Sequence, residues 1–283
     1  MPTNEVGETN SDRRDDSTHA YSDATSITIA SNPPGKCCTV GTLHRGQPTG
    51  KSIKIDDNTE AYLAIAPGGI AHKGIGILYL PDVLSLWNNS KLMADQFAAN
   101  GYTTLIPDLF NGDVLPYPIP EGLDIMEWIY NGANGNNPHT PAQVDPVVIK
   151  AIKVLKEILK EQGTVKIGAV GYCFGAKYVV RNYKQGIDVG YVGHPSFISE
   201  DELAAITGPL SIAAAQTDSI FPAELRYRSE EILIETGQPF QINLFSGVEH
   251  GFAVRGDPDD PAQRFAKEQA FFQALQWFNN YLA

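Results

Sequence analysis

The stretch that most constrains this chain runs from Val165 to Val179, VKIGAVGYCFGAKYV. An apolar run suited to a buried strand passes through Gly171-Tyr172-Cys173-Phe174-Gly175 directly into a helix-like pattern. Two glycines, two residues either side of the turn's centre, have a steric reason to be there. The central residue is held in a strained conformation, and a Cβ on either glycine would strike the adjoining strand or helix. The result is a thiol raised at the C-terminal edge of a sheet and at a helix N-terminus, where backbone N–H groups and the helix dipole favour a thiolate. Taken alone, Gly-x-Cys-x-Gly is a weak signal in a chain with 26 glycines. A buried structural cysteine in a tight turn has the same local pattern. Context separates the two.

That context is an alternation of strand and helix. Residues 52–55 and 61–66 read as a hairpin across Asp56-Asp57-Asn58. Ile75–Leu80 is a continuous apolar run fit for a parallel strand buried on both faces. A helix over 89–100 is stopped by Gly101, and a strand over 103–106 ends at Pro107-Asp108. Residues 111–142, rich in Pro, Gly and Asn, read as a long irregular excursion, of the kind that forms a lid or a pocket wall. A helical pattern over 146–162 precedes the cysteine strand. Val189–Gly193, 210–215 and 240–245 complete the strands, and 223–235 and 261–282 supply helices. Such alternation predicts a doubly wound, mostly parallel sheet flanked by helices, with ligands beyond the strand C-termini.

Length and charge narrow the classes. At 283 residues, the expectation is a polar, disordered tail over 1–30 and one domain over 31–283. A net charge of −12 without a basic patch argues against nucleic acid as a partner. No run is long and apolar enough to span a membrane, and the acidic N-terminus resembles neither a secretory signal nor a transit peptide. Three cysteines, two of them adjacent, do not make a disulfide framework. Cys37 and Cys38 have no His or Cys at zinc-ligand spacing and read as packing residues, so no metal site is expected. A cytoplasmic location follows from these readings.

A thiol nucleophile needs a base, and the base needs an orienting group. Downstream strand ends offer both in the order nucleophile, acid, histidine. Asp218 follows the strand beginning at Leu210, and His250 follows the strand beginning at Phe240. Asp218 has a second reading as a turn former before Pro222, and His250 as a solvated loop residue. Among the other histidines, His19 falls in the tail, His44 and His72 skirt the sheet, and His139 lies in the excursion. His194 follows a strand and reads as structural or as lining the pocket. Acyl chemistry also needs oxyanion donors: the Phe174 N–H, next to the nucleophile, and a second from the loop after Ile75–Leu80, at Val83.

These residues resemble the dienelactone hydrolases, the cysteine branch of the α/β-hydrolase fold. The motifs that carry the likeness are Leu80-Pro-Asp-Val, Ile106-Pro-Asp-Leu-Phe-Asn-Gly-Asp113, Gly171-Tyr-Cys-Phe-Gly-Ala, Gln216-Thr-Asp218 and Glu249-His-Gly-Phe-Ala. Cys37-Cys38…Gly41…His44…Gly46-x-Pro-x-Gly50 and His194-Pro-Ser-Phe are similar to its fungal subgroup. The resemblance implies a Cys173–His250–Asp218 triad. It also implies that Asp82 stands where the family has an acid that holds the resting thiol, and that Arg255 stands one residue from a family arginine that grips a substrate carboxylate. The implied reaction is hydrolysis of a lactone or an activated ester, enol- or aryl-linked, through a thioester and without a metal or organic cofactor. The expected partner is a small molecule, and the protein a monomer or homodimer. Two other readings stay open: an acyltransferase or lactone-forming enzyme using the same triad, and a non-catalytic binding or redox-sensing protein on this scaffold.

Overall fold

The computed structural model describes residues 27–283. Most of the expected polar tail, residues 1–26, therefore lies outside the described residues. The described chain builds one eight-stranded sheet in the order β1-β2-β4-β3-β5-β6-β7-β8. These strands are β1 (Lys51–Lys54), β2 (Glu60–Ala64), β3 (Ile75–Leu80), β4 (Thr103–Pro107), β5 (Lys166–Tyr172), β6 (Val189–Gly193), β7 (Leu210–Thr217) and β8 (Phe240–Glu249). The β1–β2 hairpin and the β2–β4 pair are antiparallel, and every pair from β4 through β8 is parallel. This is the α/β-hydrolase architecture that the alternation implied.

The helices follow from the connections that parallel strands require. They are α1 (Asn88–Ala99), α2 (Ile125–Asn131), α3 (Pro141–Leu159), α4 (Phe174–Arg181), α5 (Glu200–Ala204), α6 (Ala223–Thr236), α7 (Phe252–Arg255) and α8 (Pro261–Tyr281). Because side chains alternate along a strand, β3 feeds both faces of the sheet. Leu78 and Leu80 pack with Val148, Ile152 and Leu155 of α3 and Val179 of α4. Ile77 and Tyr79 join Met93 and Phe97 of α1 and Phe278 of α8 in a second core on the opposite face. Every residue of β3 is buried, which is why its sequence lacks a polar alternation.

Two expectations are corrected. The helix expected to open at Pro146 opens at Pro141, with Thr140 before it and Pro146 inside it. Both prolines suit an early helical position, and the apolar residue Val144, fully buried, draws the earlier turn into the core. The excursion over 111–142 is not wholly irregular, because Asp124 caps α2 by accepting from the amides of Met126 and Glu127.

Residues 27–44 cross the C-terminal edge of the sheet as a strap. The Ala30 amide donates to the Ile198 carbonyl at 2.8 Å, and the Asn32 amide to the Ile220 carbonyl at 2.8 Å. The Thr42 amide donates to the Arg255 carbonyl at 2.8 Å, and the His44 amide to Asn89 Oδ1 at 2.8 Å. Each acceptor lies just past a strand C-terminus or in the helix that follows. The strap thus lies over the edge where a doubly wound sheet places its ligands.

Candidate active site

Cys173 sits between β5 and α4 with φ 51° and ψ −116°, a conformation that costs free energy for a residue with a Cβ. Its neighbours explain why the turn holds. A Cβ on Gly171 would lie 2.7 Å from the Gly175 carbonyl oxygen and 2.7 Å from Val179 Cγ2. A Cβ on Gly175 would overlap the Leu80 carbonyl and lie 2.6 Å from the Pro81 carbonyl oxygen. The second contact has a further meaning: the loop leaving β3, which carries Asp82 and Val83, abuts the first turn of α4. The Cys173 amide donates to the Gly193 carbonyl at 3.1 Å, and its carbonyl accepts from the Ser196 amide at 3.2 Å. Both ends of the elbow are thereby fixed to β6 and the loop after it.

The sequence-expected acid and histidine converge on this point. Asp218 follows β7 and His250 follows β8. His250 Nδ1 lies 2.9 Å from Asp218 Oδ2 and 3.1 Å from Oδ1. Asp218 Oδ1 also accepts from the amides of Ile220 (2.8 Å) and Phe221 (3.1 Å). The turn-former reading and the histidine-partner reading therefore both hold, because one carboxylate does both.

The other side of the imidazole brings the main correction. Cys38, read from sequence as packing, lies against both His250 and Cys173. Its Sγ is 3.5 Å from His250 Nε2 and 3.2 Å from Cys173 Sγ. Ligand atoms of Cys38, Cys173 and His250 all fall within 4.8 Å of one another, and all three residues are buried. Sequence spacing gave no such cluster; the strap creates it. Ser196 was also missed, and its hydroxyl lies 3.7 Å from Cys173 Sγ. The only sequence signal for Cys38 was its place in the Cys-Cys…Gly…His motif of the fungal resemblance.

Asp82 does not bond the nucleophile, contrary to the role the resemblance implied. Its carboxylate forms a tight ion pair with Arg255 Nη1 and accepts from the Leu84 amide at 3.0 Å. The arginine, arriving from α7, is long enough to claim the carboxylate first. Arg255 also donates from Nε to the Val40 carbonyl of the strap at 3.0 Å, while its buried Nη2 has no partner among the described residues. His194 ends β6 with φ 37° and is fully buried, its ring centroid 5.0 Å from that of His250. Neither of its ring nitrogens has a partner among the described residues, and burial drives its pKa well below the ordinary value. It is a neutral wall of the site. Val83 and Phe174 are both buried beside the elbow, with Phe174 as the first residue of α4, whose N–H has no intrahelical acceptor.

The charges follow from this arrangement. Burial opposes a thiolate at Cys173, but the hydrogen bond from Cys38 and the charges of His250 and Arg255 outweigh it, and the thiol lies well below its usual pKa. Cys38 moves the opposite way, raised by burial and by its neighbour's sulfur, so it remains the protonated donor. Burial disfavours the His250 imidazolium, yet Cys173 and Asp218 hold it protonated, up to about 10. These directions favour a buried thiolate–imidazolium pair, with the Cys38 thiol against both partners. Cys37 is half-buried, and a hydrogen bond with Cys38 brings its thiol down to about 6.

A cavity of about 420 Å³ opens beside the cluster, lined by Cys37, Gly41, His250, Phe252 and Arg255 among others. The excursion reaches its rim, where the Tyr117 hydroxyl donates to the Gly41 carbonyl at 2.6 Å. A larger cavity, of about 760 Å³, lies between α1 and α8 around His44, Lys267 and Phe271, and none of the triad residues lines it.

Comparison with known proteins places the chain in a family. The sequence is 47% identical over 256 residues to Hydrolase pyvD of Aspergillus violaceofuscus, covering 90% of this chain and 99% of that one. It is 48% identical over 259 residues to Hydrolase tropI of Talaromyces stipitatus, with the same coverage, 90% and 99%. The fold superposes on a dienelactone hydrolase from Anabaena variabilis with a TM-score of 0.60 at 14% identity, covering 84% of this chain and 100% of that one. The sequence model of the Dienelactone hydrolase family matches residues 59–282, so the chain belongs to that family of ester and lactone hydrolases.

Proposed function

We propose that the protein hydrolyses an activated lactone or ester, enol- or aryl-linked, through a thioester on Cys173. The observation that carries this reading is the buried cluster at the ends of β7, β8 and β5, in which Asp218 bonds His250 and the His250 ring lies within 4.8 Å of the Cys173 sulfur, with the Cys38 thiol against both. In this reading the Cys173 thiolate attacks the carbonyl carbon, and the Phe174 and Val83 amides receive the oxyanion. An enolate or phenolate leaves without much acid assistance, which suits a thiolate nucleophile. His250, held in one tautomer by Asp218, then takes a proton from the water that clears the thioester. Side chains and backbone carry every step.

The substrate reading rests on Arg255. Its unpaired Nη2 is a buried donor on a residue that lines the cavity with His250, so an acidic group on the substrate completes its hydrogen bonding. Asp82 in this reading holds the arginine rather than the thiol. The test is a panel of activated esters and enol-lactones, with and without a carboxylate, turned over by the protein and by Cys173→Ala. Turnover lost in the variant, together with an acyl adduct of matching mass on Cys173, supports the reading. Equal turnover by the variant sinks it.

A second reading is acyl transfer to a hydroxyl other than water. The complete burial of Cys173 beneath the strap favours it, because a strap that closes again after acylation would keep water from the thioester. Product analysis with added alcohols separates the two: ester products indicate transfer and free acid alone indicates hydrolysis.

A further inference from the structure

We propose that Cys38 and Cys173 form a reversible disulfide, driven by a hydroperoxide, that removes the nucleophile and fixes the strap over the site. Its effect on turnover rests on the reading of Cys173 as the nucleophile; the bond itself does not.

Three observations carry the proposal. The two sulfurs already touch at 3.2 Å, across 135 residues of sequence, and both are buried. Covalent closure to about 2.05 Å needs an approach of about 1 Å. The elbow is fixed on both sides, so the movement falls to Cys38, which lies in a single four-residue turn, Lys36–Thr39, closed by bonds that include the Cys38 amide to the Gly35 carbonyl at 2.9 Å and the Thr39 hydroxyl to the Lys36 carbonyl at 2.7 Å. Second, the pair is chemically asymmetric. Cys173 faces an imidazolium and is the attacking sulfur, while Cys38 holds a proton and contacts His250 Nε2 at 3.5 Å. An activated sulfur beside a resolving thiol is the arrangement that turns oxidation into a disulfide rather than over-oxidation. Third, the cavity beside Cys37 and His250 brings small molecules to the edge of the cluster.

The chemistry balances with hydrogen peroxide as the two-electron oxidant. The Cys173 thiolate attacks one peroxide oxygen, the O–O bond breaks, and the departing hydroxide takes the His250 proton to leave as water. Cys173 is then a sulfenic acid and His250 is neutral. His250 accepts the Cys38 proton at Nε2, and the Cys38 sulfur attacks the Cys173 sulfur. The S–O bond breaks, and the second hydroxide leaves as water with the proton from His250. Two sulfurs are oxidised and one peroxide is reduced to two waters. A small dithiol reverses the bond by exchange.

The experiment uses the full chain, reduced, with a chelator present to exclude soft metal ions from the same three ligands. It is exposed to hydrogen peroxide, quenched with an alkylating agent and mapped by peptide mass spectrometry without reduction. The expected result is a Cys38–Cys173 cross-linked peptide, an intact-mass loss of two hydrogens, and full return with dithiothreitol. Cys37→Ser gives the same cross-link, whereas Cys38→Ser accumulates sulfinic acid on Cys173 that dithiothreitol does not reverse. The proposal is overturned if wild-type Cys173 reaches sulfinic acid as fast as in Cys38→Ser, if the cross-link runs through Cys37, or if Cys173 stays reduced while peroxide is consumed. Should Cys38→Ser fail to fold, the wild-type map alone decides. Ester turnover of the reduced sample is measured in parallel. Turnover without a cross-link defeats this proposal and leaves the hydrolase reading, and a cross-link without turnover does the reverse.

Discussion

Replacing Asp82 by Asn tests the electrostatic account of the site at its most demanding point. The side chain keeps its shape, and its remaining oxygen can still accept from the Leu84 amide, now at 3.0 Å. What changes is the partner of Arg255: a carboxylate becomes a neutral amide, and the guanidinium, only 2% exposed, loses its counter-charge. Arginine does not escape by deprotonating. Breaking a buried ion pair from one side costs about 3–5 kcal/mol. At roughly 2–4 °C per kcal/mol for a chain of this size, the melting temperature falls by about 6–20 °C.

The reverse substitution, Arg255→Met, behaves differently. Burial already raises the Asp82 carboxyl against the pull of the arginine, so without Arg255 it rises further and folds in its neutral form. A group whose folded pKa exceeds its unfolded value contributes stability that is present at low pH and is lost as pH rises through the folded value. The deficit of Arg255→Met relative to wild type therefore shrinks from pH 7 to pH 5, whereas that of Asp82→Asn does not. The sulfur reports the same charges independently. The Asp82 carboxylate and the Cys173 thiolate repel each other, so Asp82→Asn moves the pH midpoint of Cys173 alkylation down and Arg255→Met moves it up. A melting temperature within about 2 °C of wild type for Asp82→Asn, less than 1 kcal/mol on the same scale, would falsify the buried-pair account. It would mean that water reaches the guanidinium.

Three further substitutions follow from the same geometry. His250→Gln removes the cation that holds the thiolate, leaving burial to dominate. The Cys173 pKa rises, and the pH midpoint of its alkylation by iodoacetamide moves up with it; an unchanged midpoint refutes the ion pair. Cys38→Ala removes the thiol that donates to Cys173. A hydrogen bond to a charged group contributes about 1.5–3 kcal/mol, so the alkylation midpoint rises, and Cys38→Ser recovers part of the loss. Gly175→Ala places a Cβ into the Leu80 and Pro81 carbonyls. Calorimetry should show a loss of about 1–3 kcal/mol. The activity loss, of order 10²-fold or more, should appear in kcat rather than KM, because the β3 loop is pushed away from the Phe174 amide; a loss confined to KM contradicts that placement.

How far the sequence anticipated this site depends on which atoms carry each contact. The central strands were legible because burial on both faces removes polar residues from Ile75–Leu80 and from the elbow strand. Asp218 and His250 were legible because a short titratable side chain at a strand end in a fixed order is itself the signal. Cys38 was not, because its position depends on the strap. The strap is tied down largely by backbone groups, such as the Ala30 and Asn32 amides on Ile198 and Ile220, and these bonds leave no trace in side-chain identity. The Asp82–Arg255 pair was hidden for a related reason. The partners lie 173 residues apart, and nothing local says whether an acid at the end of β3 will meet a thiol or a guanidinium first. The same holds at the helix boundary near Pro141, where two prolines five residues apart fit equally well and the burial of Val144 decides.

The strap also bears on how a fully buried sulfur can be a nucleophile at all. Cys173 and Cys38 both have no exposed surface, so acylation of Cys173 requires the 36–41 segment to move off it. Side-chain bonds that hold that segment to the site wall include Arg255 Nε to the Val40 carbonyl, the Tyr117 hydroxyl to the Gly41 carbonyl and the Cys38 thiol on Cys173. A bond to or from a charged group contributes about 1.5–3 kcal/mol and a neutral one about 1, so lifting the segment costs on the order of 4–7 kcal/mol. That corresponds to an open fraction of roughly one in 10³ to 10⁵, and an intrinsic affinity reduced by the same factor. A substrate with an acidic group recovers part of this cost, since it meets the arginine that the departing carbonyl leaves behind. In the proposed reading Arg255 thus links three roles through one side chain: it neutralises Asp82, tethers the segment over Cys173, and offers its remaining nitrogen to an acidic substrate that displaces that segment.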